Sequence, residues 1–172
     1  INDEEKALLS SVQRPIVLLK KKKKALLSTF VSPSVPNMGI MLPYAPLHYL
    51  LLENQLTVLV MTSANQVDEP ICISNREAIA RLKGIADFFL VHNRDILVRC
   101  DDSLGFVAGG KPQLMRRSRG YAPRPLILKE FYPAVLALGG AGATCRGSIS
   151  TGGGVRPAEP RIDARCAMMG IG

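Results

Sequence analysis

Residues 95–120, DILVRCDDSLGFVAGGKPQLMRRSRG, decide the fold. Their apolar runs are short, leucine-rich or β-branched, and broken by turn residues, which predicts two or three strands joined by tight turns. Gly109-Gly110 is the natural hairpin, because the favoured two-residue turns take positive φ. Working outward, RPIVLLKK (14–21) is a proline-led strand that ends at the lysines, and FVSPSVPNMGIMLPYAP (30–46) reads as loop, short strand, loop. Pro46 opens a helix continued by LHYLLLEN, with Leu47, Leu50 and Leu51 on one face. TVLVMTSAN (57–65) has a buried-strand pattern that ends in small polar residues. In SNREAIARLKGIADFFLV (74–91), Ser74 caps a helix with Glu77 three positions on, Ile79 and Leu82 face inward, and Gly84 stops it. ADFFLVHN then reads as a strand. Short turns give antiparallel neighbours and helical crossovers give parallel ones, so the expectation is an α/β domain with a mixed sheet.

The 172 residues suffice for one or two domains, and 47% apolar with 21% charged residues excludes a wholly disordered chain. The formal charge of +8 favours anionic partners without choosing among nucleotide, nucleic acid and acidic protein. The run Lys20 to Lys24 fits a solvated loop or helix face as well as a nucleic-acid patch. Cys72, Cys100, Cys145 and Cys166 form no C-x-x-C pair, which excludes a zinc ribbon and a thioredoxin-like motif. No targeting segment and no membrane-length apolar run is present, so the protein is read as soluble and cytoplasmic, with no membrane partner. Composition changes after YAPRPLILKEFYP (121–133): residues 134–172 hold nine of the fifteen glycines and no aromatic residue. The expected layout is a domain over 1–128, a linker over 129–133, and a segment 134–172 in which AVLALGG adds a strand and the rest is poorly ordered.

Candidate chemistry gathers at three places. The loop Thr62-Ser63-Ala64-Asn65 offers hydroxyls and an amide at a strand end, suited to phosphate or sugar; a plain Asx turn accounts for it equally well. Asp101-Asp102-Ser103 offers carboxylates that can hold a magnesium ion bridging phosphates, or form a charged turn. Arg116, Arg117, Arg119 and Arg124 suit bidentate phosphate contacts, and a charged edge strand is the bland alternative. If residues 113–117 form a strand, alternation puts Arg117 and Arg119 on one face and Arg116 on the other. His48 and His92 lack a matched carboxylate and read as structural; no catalytic residue or general base is assigned.

Taken in order and spacing, RPIVLLKK, GIMLPYAPLHYLLL, LVMTSAN, EPICISNREAIARLKGIADFFLVHNRDI, RCDDS and LMRRSRGYAPRPL resemble the YrdC-like domain of the HypF carbamoyltransferases over residues 13–128. The resemblance implies a YrdC-like open twisted sheet, mixed parallel and antiparallel, with helices, and incomplete at the N-terminus. It implies that carbamate, released from carbamoyl phosphate by a separate acylphosphatase domain, reacts with ATP to give carbamoyl-adenylate and pyrophosphate. A further actin/sugar-kinase-like domain, whose first strand VLALGG matches, would pass the carbamoyl group to the C-terminal cysteine of HypE during [NiFe]-hydrogenase maturation. By motif, Ser63 and Asn65 would contact the nucleotide phosphates or the carbamoyl group, and Ser103, Arg117 and Arg119 would line the same cavity. The resemblance implies zinc only in family modules expected to be absent from this stretch. The related threonylcarbamoyl-adenylate synthases of tRNA modification carry an arginine where Met41 stands and lack the RCDDS and RRSRGYAP wording. One departure concerns the loop itself: the family follows SAN or SGN with leucine, serine and glycine, whereas this chain has Gln66, Val67 and Asp68. Two further expectations stand beside the enzyme: a module that binds double-stranded RNA through a basic concave surface, and an inactive remnant of a truncated reading frame.

Overall fold

A computed structural model of the chain describes residues 1–22, 27–53, 56–127, 135–139 and 146–150. Lys23 and Lys24, the linker 129–133, Cys145 and Cys166 lie outside them. The chain divides into two compact units, the first made of Ile1–Met61 and Asp102–Ala122, the second of Thr62–Asp101 with the described part of Pro123–Ile171.

The first unit is a mixed sheet packed on one helix. Helix α1 (Asp3–Ser10) starts with a capping box: Asn2 Oδ1 accepts from the Glu5 amide at 2.7 Å and Glu5 returns the bond to the Asn2 amide at 2.9 Å. Asp3, Glu4 and Glu5 then place negative charge on the positive end of the helix dipole. The sheet runs β2-β1-β3-β4. β1 (Ile16–Lys20) pairs antiparallel with β2 (Asn37–Ile40) and parallel with β3 (Leu104–Ala108), which pairs antiparallel with β4 (Lys111–Arg116). β1 alternates as a half-buried strand should, with Val17 and Leu19 turned inward to meet Leu8 and Leu9 of α1. Ile40, Leu42 and Val107 close over this cluster. Gly109 and Gly110 take φ of 56° and 71°, the primed-turn geometry that a side chain would strain. The mixed sheet, β1, β2 and the Gly109-Gly110 hairpin all follow the expectation. Helix α1 does not figure in it, although Asn2 and Glu5 are the same cap signal that Ser74 and Glu77 supply.

Helix α2 (Pro46–Leu52) forms as expected from Pro46, but Leu47, Leu50 and Leu51 are exposed. In the second unit, helix α3 (Asn75–Leu82) is capped by Ser74, whose Oγ accepts from the Glu77 amide at 3.1 Å. Glu77 reaches one residue further back than a capping box does and accepts from the Ile73 amide at 3.0 Å. Leu82 is buried and Ile79 is not, being 46% exposed, which corrects the inward assignment of Ile79. β5 (Val135–Gly139) and β6 (Arg146–Ser150) pair antiparallel, so a strand occurs within the span expected to be poorly ordered.

Two expected strands do not form, and residues 95–120 hold two strands rather than three. TVLVMTSAN, ADFFLVHN and ILVRC run as irregular chain, with Val60, Phe88 and Leu97 exposed. β-branched and aromatic composition measures fitness for a pleated, half-buried surface, and it makes a strand only where a neighbour accepts the backbone hydrogen bonds. Among the described residues no strand pairs with these segments.

Candidate functional site

The first unit gathers Ser103, Arg117 and Arg119 at the end of the sheet where the parallel strands β1 and β3 begin. Ile16, at the start of β1, donates its amide to Ser103 O at 2.8 Å. Ser103 is fully buried; its Oγ accepts from the Ser118 amide at 2.7 Å and donates to Arg119 O at 2.9 Å. The hydroxyl therefore ties the start of β3 to the loop after β4. Arg119 answers from the other side: Nε bonds Asp102 Oδ1 at 2.5 Å, Nη2 donates to Arg14 O at 2.9 Å and Nη1 to Gln13 O at 3.3 Å. Its guanidinium also stacks 3.4 Å from the ring centroid of Tyr44, a cation–π contact, and Tyr44 meets His48 edge-on at 4.5 Å. Gly120 follows at φ 86°, where an added Cβ would stand 2.7 Å from Gln13 O; the loop needs glycine for both reasons. Arg117 Nη2 donates to Tyr121 O at 3.1 Å. Burial pushes the Tyr121 phenol above its ordinary value, against a Ser11 hydrogen bond and the Arg117 charge, which pull it down.

β4 ends at Arg116, so strand alternation does not extend to Arg117 and Arg119. They sit in an irregular loop, and Arg119 is set by Asp102, Tyr44 and two carbonyls. Asp102 is bound to that guanidinium, and among the described residues no group of three or more His, Cys, Asp or Glu side chains is placed to hold a metal by itself.

The second unit carries Ser63 and Asn65. Ser63 Oγ donates to Asn65 Oδ1, the Asn65 amide bonds Ser63 O at 3.0 Å, and Asn65 Nδ2 bonds Gln66 O at 2.8 Å. Ser63 is exposed and Asn65 partly so. Behind this loop lies an ionic cluster that the sequence reading did not single out. Arg81 pairs with Glu69 and with Glu77, the latter at 2.6 Å, and Arg99 reaches Glu77 at 3.2 Å and Ile71 O at 2.7 Å. The Ile73 amide, chiefly, holds the Glu77 carboxyl below its usual range; desolvation opposes this, and Arg81 and Arg99 add to it. Glu69 and Glu77 raise the Arg81 value. The Glu77–Arg81 pair was visible as an i,i+4 spacing on a helix, whereas the Arg99 contact is non-local and has no sequence signal. The five expected ligand residues thus fall into two groups, Ser103, Arg117 and Arg119 in the first unit and Ser63 and Asn65 in the second.

The Sua5/YciO/YrdC family model, described as telomere recombination, matches residues 1–118, and the chain belongs to that family. Its four-stranded mixed sheet is accordingly YrdC-like. Within that class the chain is similar to the HypF proteins. It is 48% identical over 140 residues to the carbamoyltransferase HypF of Synechocystis sp., covering 81% of this chain and 18% of that protein. The crystal structure of a full-length HypF in its phosphate- and nucleotide-bound form matches with a TM-score of 0.71 and 48% identity, over 79% of this chain and 22% of that one. The HypF of T. kodakarensis matches with a TM-score of 0.75 and 38% identity, over 88% and 21%. The chain spans about a fifth of the length of these relatives. Among the described residues no helix is long and apolar enough to cross a membrane.

Proposed function

We propose that the chain is the YrdC-like portion of a HypF-type carbamoyltransferase and serves the formation of carbamoyl-adenylate. The observation that carries the reading is the 48% identity to a protein of that name across 81% of this chain. In the proposed step a carbamate oxygen attacks the α-phosphorus of ATP, the bond from that phosphorus to the bridging oxygen breaks, and pyrophosphate leaves. The reaction needs fixed donors around a phosphorus that gains and then sheds negative charge. In the first unit Arg117 is proposed as a phosphate contact, on a loop that Ser103 and Arg119 hold from behind. In the second, Ser63 and Asn65 are proposed as contacts to phosphate or carbamoyl. Supply of carbamate from carbamoyl phosphate, transfer to HypE and a role in hydrogenase maturation belong to the same proposal. So does the assignment of residues 134–172 to the start of a following domain.

The test is carbamoyl-phosphate-dependent exchange of pyrophosphate into ATP, measured on a chain extended to the length of its relatives. Exchange lost in Arg117→Ala supports the reading; no exchange in the unaltered extended chain removes it. The charge of +8 favours one other outcome, binding of double-stranded RNA. Affinity for RNA that falls steeply with salt, without exchange, would put that reading in its place.

A further inference from the structure

The loop Ser63–Asn65 is an exposed turn whose internal bonds run only to its own neighbours, so its placement depends on what lies beneath it. Two ties lead down from it. The Cys72 amide donates to Ala64 O at 2.9 Å, and Gln66 Nε2 donates to Arg81 O at 2.6 Å. The second tie has a clear physical motive. Arg81 O is one of the last carbonyls of α3, which have no partner within the helix, and the Gln66 amide satisfies it. The first tie is anchored in turn. Cys72 is buried, and the segment around it is gripped by Arg99 at Ile71 O, by Arg81 at Pro70 O at 3.3 Å, and by Glu77 at the Ile73 amide. Glu77 joins both arginines, so the clamp is a single connected network.

The geometry points to Gln66 as a positioning residue: its side-chain bond to the end of α3 sets the Ser63–Asn65 loop and thereby the affinity of that loop for the phosphate or carbamoyl oxygens of its ligand. The inference rests on the proposed function only for the identity of the ligand. Asp68, at φ 60°, lies in the turn that the Glu69 amide closes on Gln66 O at 3.1 Å, and Glu69 pairs with Arg81. Residues 66–69 thus hook over the helix end at both extremities.

The test compares Gln66→Met, which keeps length and loses the donor, with the unaltered chain, in two measurements. The first is amide hydrogen exchange at Cys72, which needs no ligand. The expected result is exchange faster by roughly five-fold, the change that a net hydrogen bond of about 1 kcal/mol corresponds to. The second is ATP titration, in which Gln66→Met should weaken binding by a similar factor while Ser63→Ala also weakens it. Unchanged exchange at Cys72 overturns the claim that the Gln66 bond sets the loop. Faster exchange with unchanged ATP affinity, in a protein that Ser63→Ala does weaken, overturns the positioning role and leaves the functional reading standing. Binding insensitive to Ser63→Ala removes the loop from the ligand site and with it the effect of Gln66 on affinity.

Discussion

The two units draw on similar amino acids and are held by different forces. In the first, Leu8, Leu9, Val17 and Leu19 bury against one another because a helix lies on a four-stranded ladder. In the second, Cys72 and Leu82 are the buried apolar side chains among the described residues, while Phe88, Leu90 and Leu97 stand exposed and Glu69, Glu77, Arg81 and Arg99 make the close contacts. Apolar content alone does not make a core. It becomes one where the backbone already has partners, and where it has none, charge-assisted bonds to carbonyls and amides set the local shape.

Substitutions can break this contrast. Leu19→Ala should have the largest effect, lowering the stability of the first unit by about 3 kcal/mol through lost burial and a residual cavity, as read by denaturant unfolding. Gly120→Ala comes next at about 2 kcal/mol, from positive φ and the approach to Gln13 O together. A cost below about 0.5 kcal/mol would mean that the loop after β4 is loosely held. The third is an acid titration. The Glu77 carboxyl is held below its ordinary value of 4.5, so its contribution is fully present above that pH and is lost as pH falls through the depressed folded value. Exchange at the Ile73 amide should therefore accelerate, relative to its intrinsic rate, on the acid side of that value, and Glu77→Gln should flatten the change. The smallest effect belongs to Phe88→Ser, expected within about 0.5 kcal/mol for a side chain that is 93% exposed. A cost above about 1 kcal/mol would show Phe88 packed and collapse the contrast.

What could be read from the sequence divides along the same line. β1, β2 and the Gly109-Gly110 turn were legible because their signals are local: a proline, an alternation, a glycine pair. α3 was legible from Ser74 and Glu77, and α1 was equally so from Asn2 and Glu5 but lacked an apolar stripe long enough to draw notice. The strands expected at 57–65 and 86–93 do not form, because composition reports the surface a side chain prefers and is silent about hydrogen-bonding partners. Of the candidate site, Ser103 and Arg119 were singled out, but their setting was not legible. Bonds from Arg119 to Gln13 O and Arg14 O join residues more than a hundred positions apart, and no spacing rule spans that distance.

The parallel pairing of β1 with β3 has a consequence for how the chain is made. β1 and β2 emerge together from synthesis and can pair at once, but Ser103 and β3 arrive only after the whole of Thr62–Asp101. Until then β1 offers an open edge, and the central register Ile16–Leu104 must wait for a non-local contact. Because the entropy of closing a loop rises only with the logarithm of its length, the intervening segment could grow or shrink with little change in the stability of the sheet. Its presence costs time more than free energy, and an unpaired β1 edge on the nascent chain is where misassembly would begin.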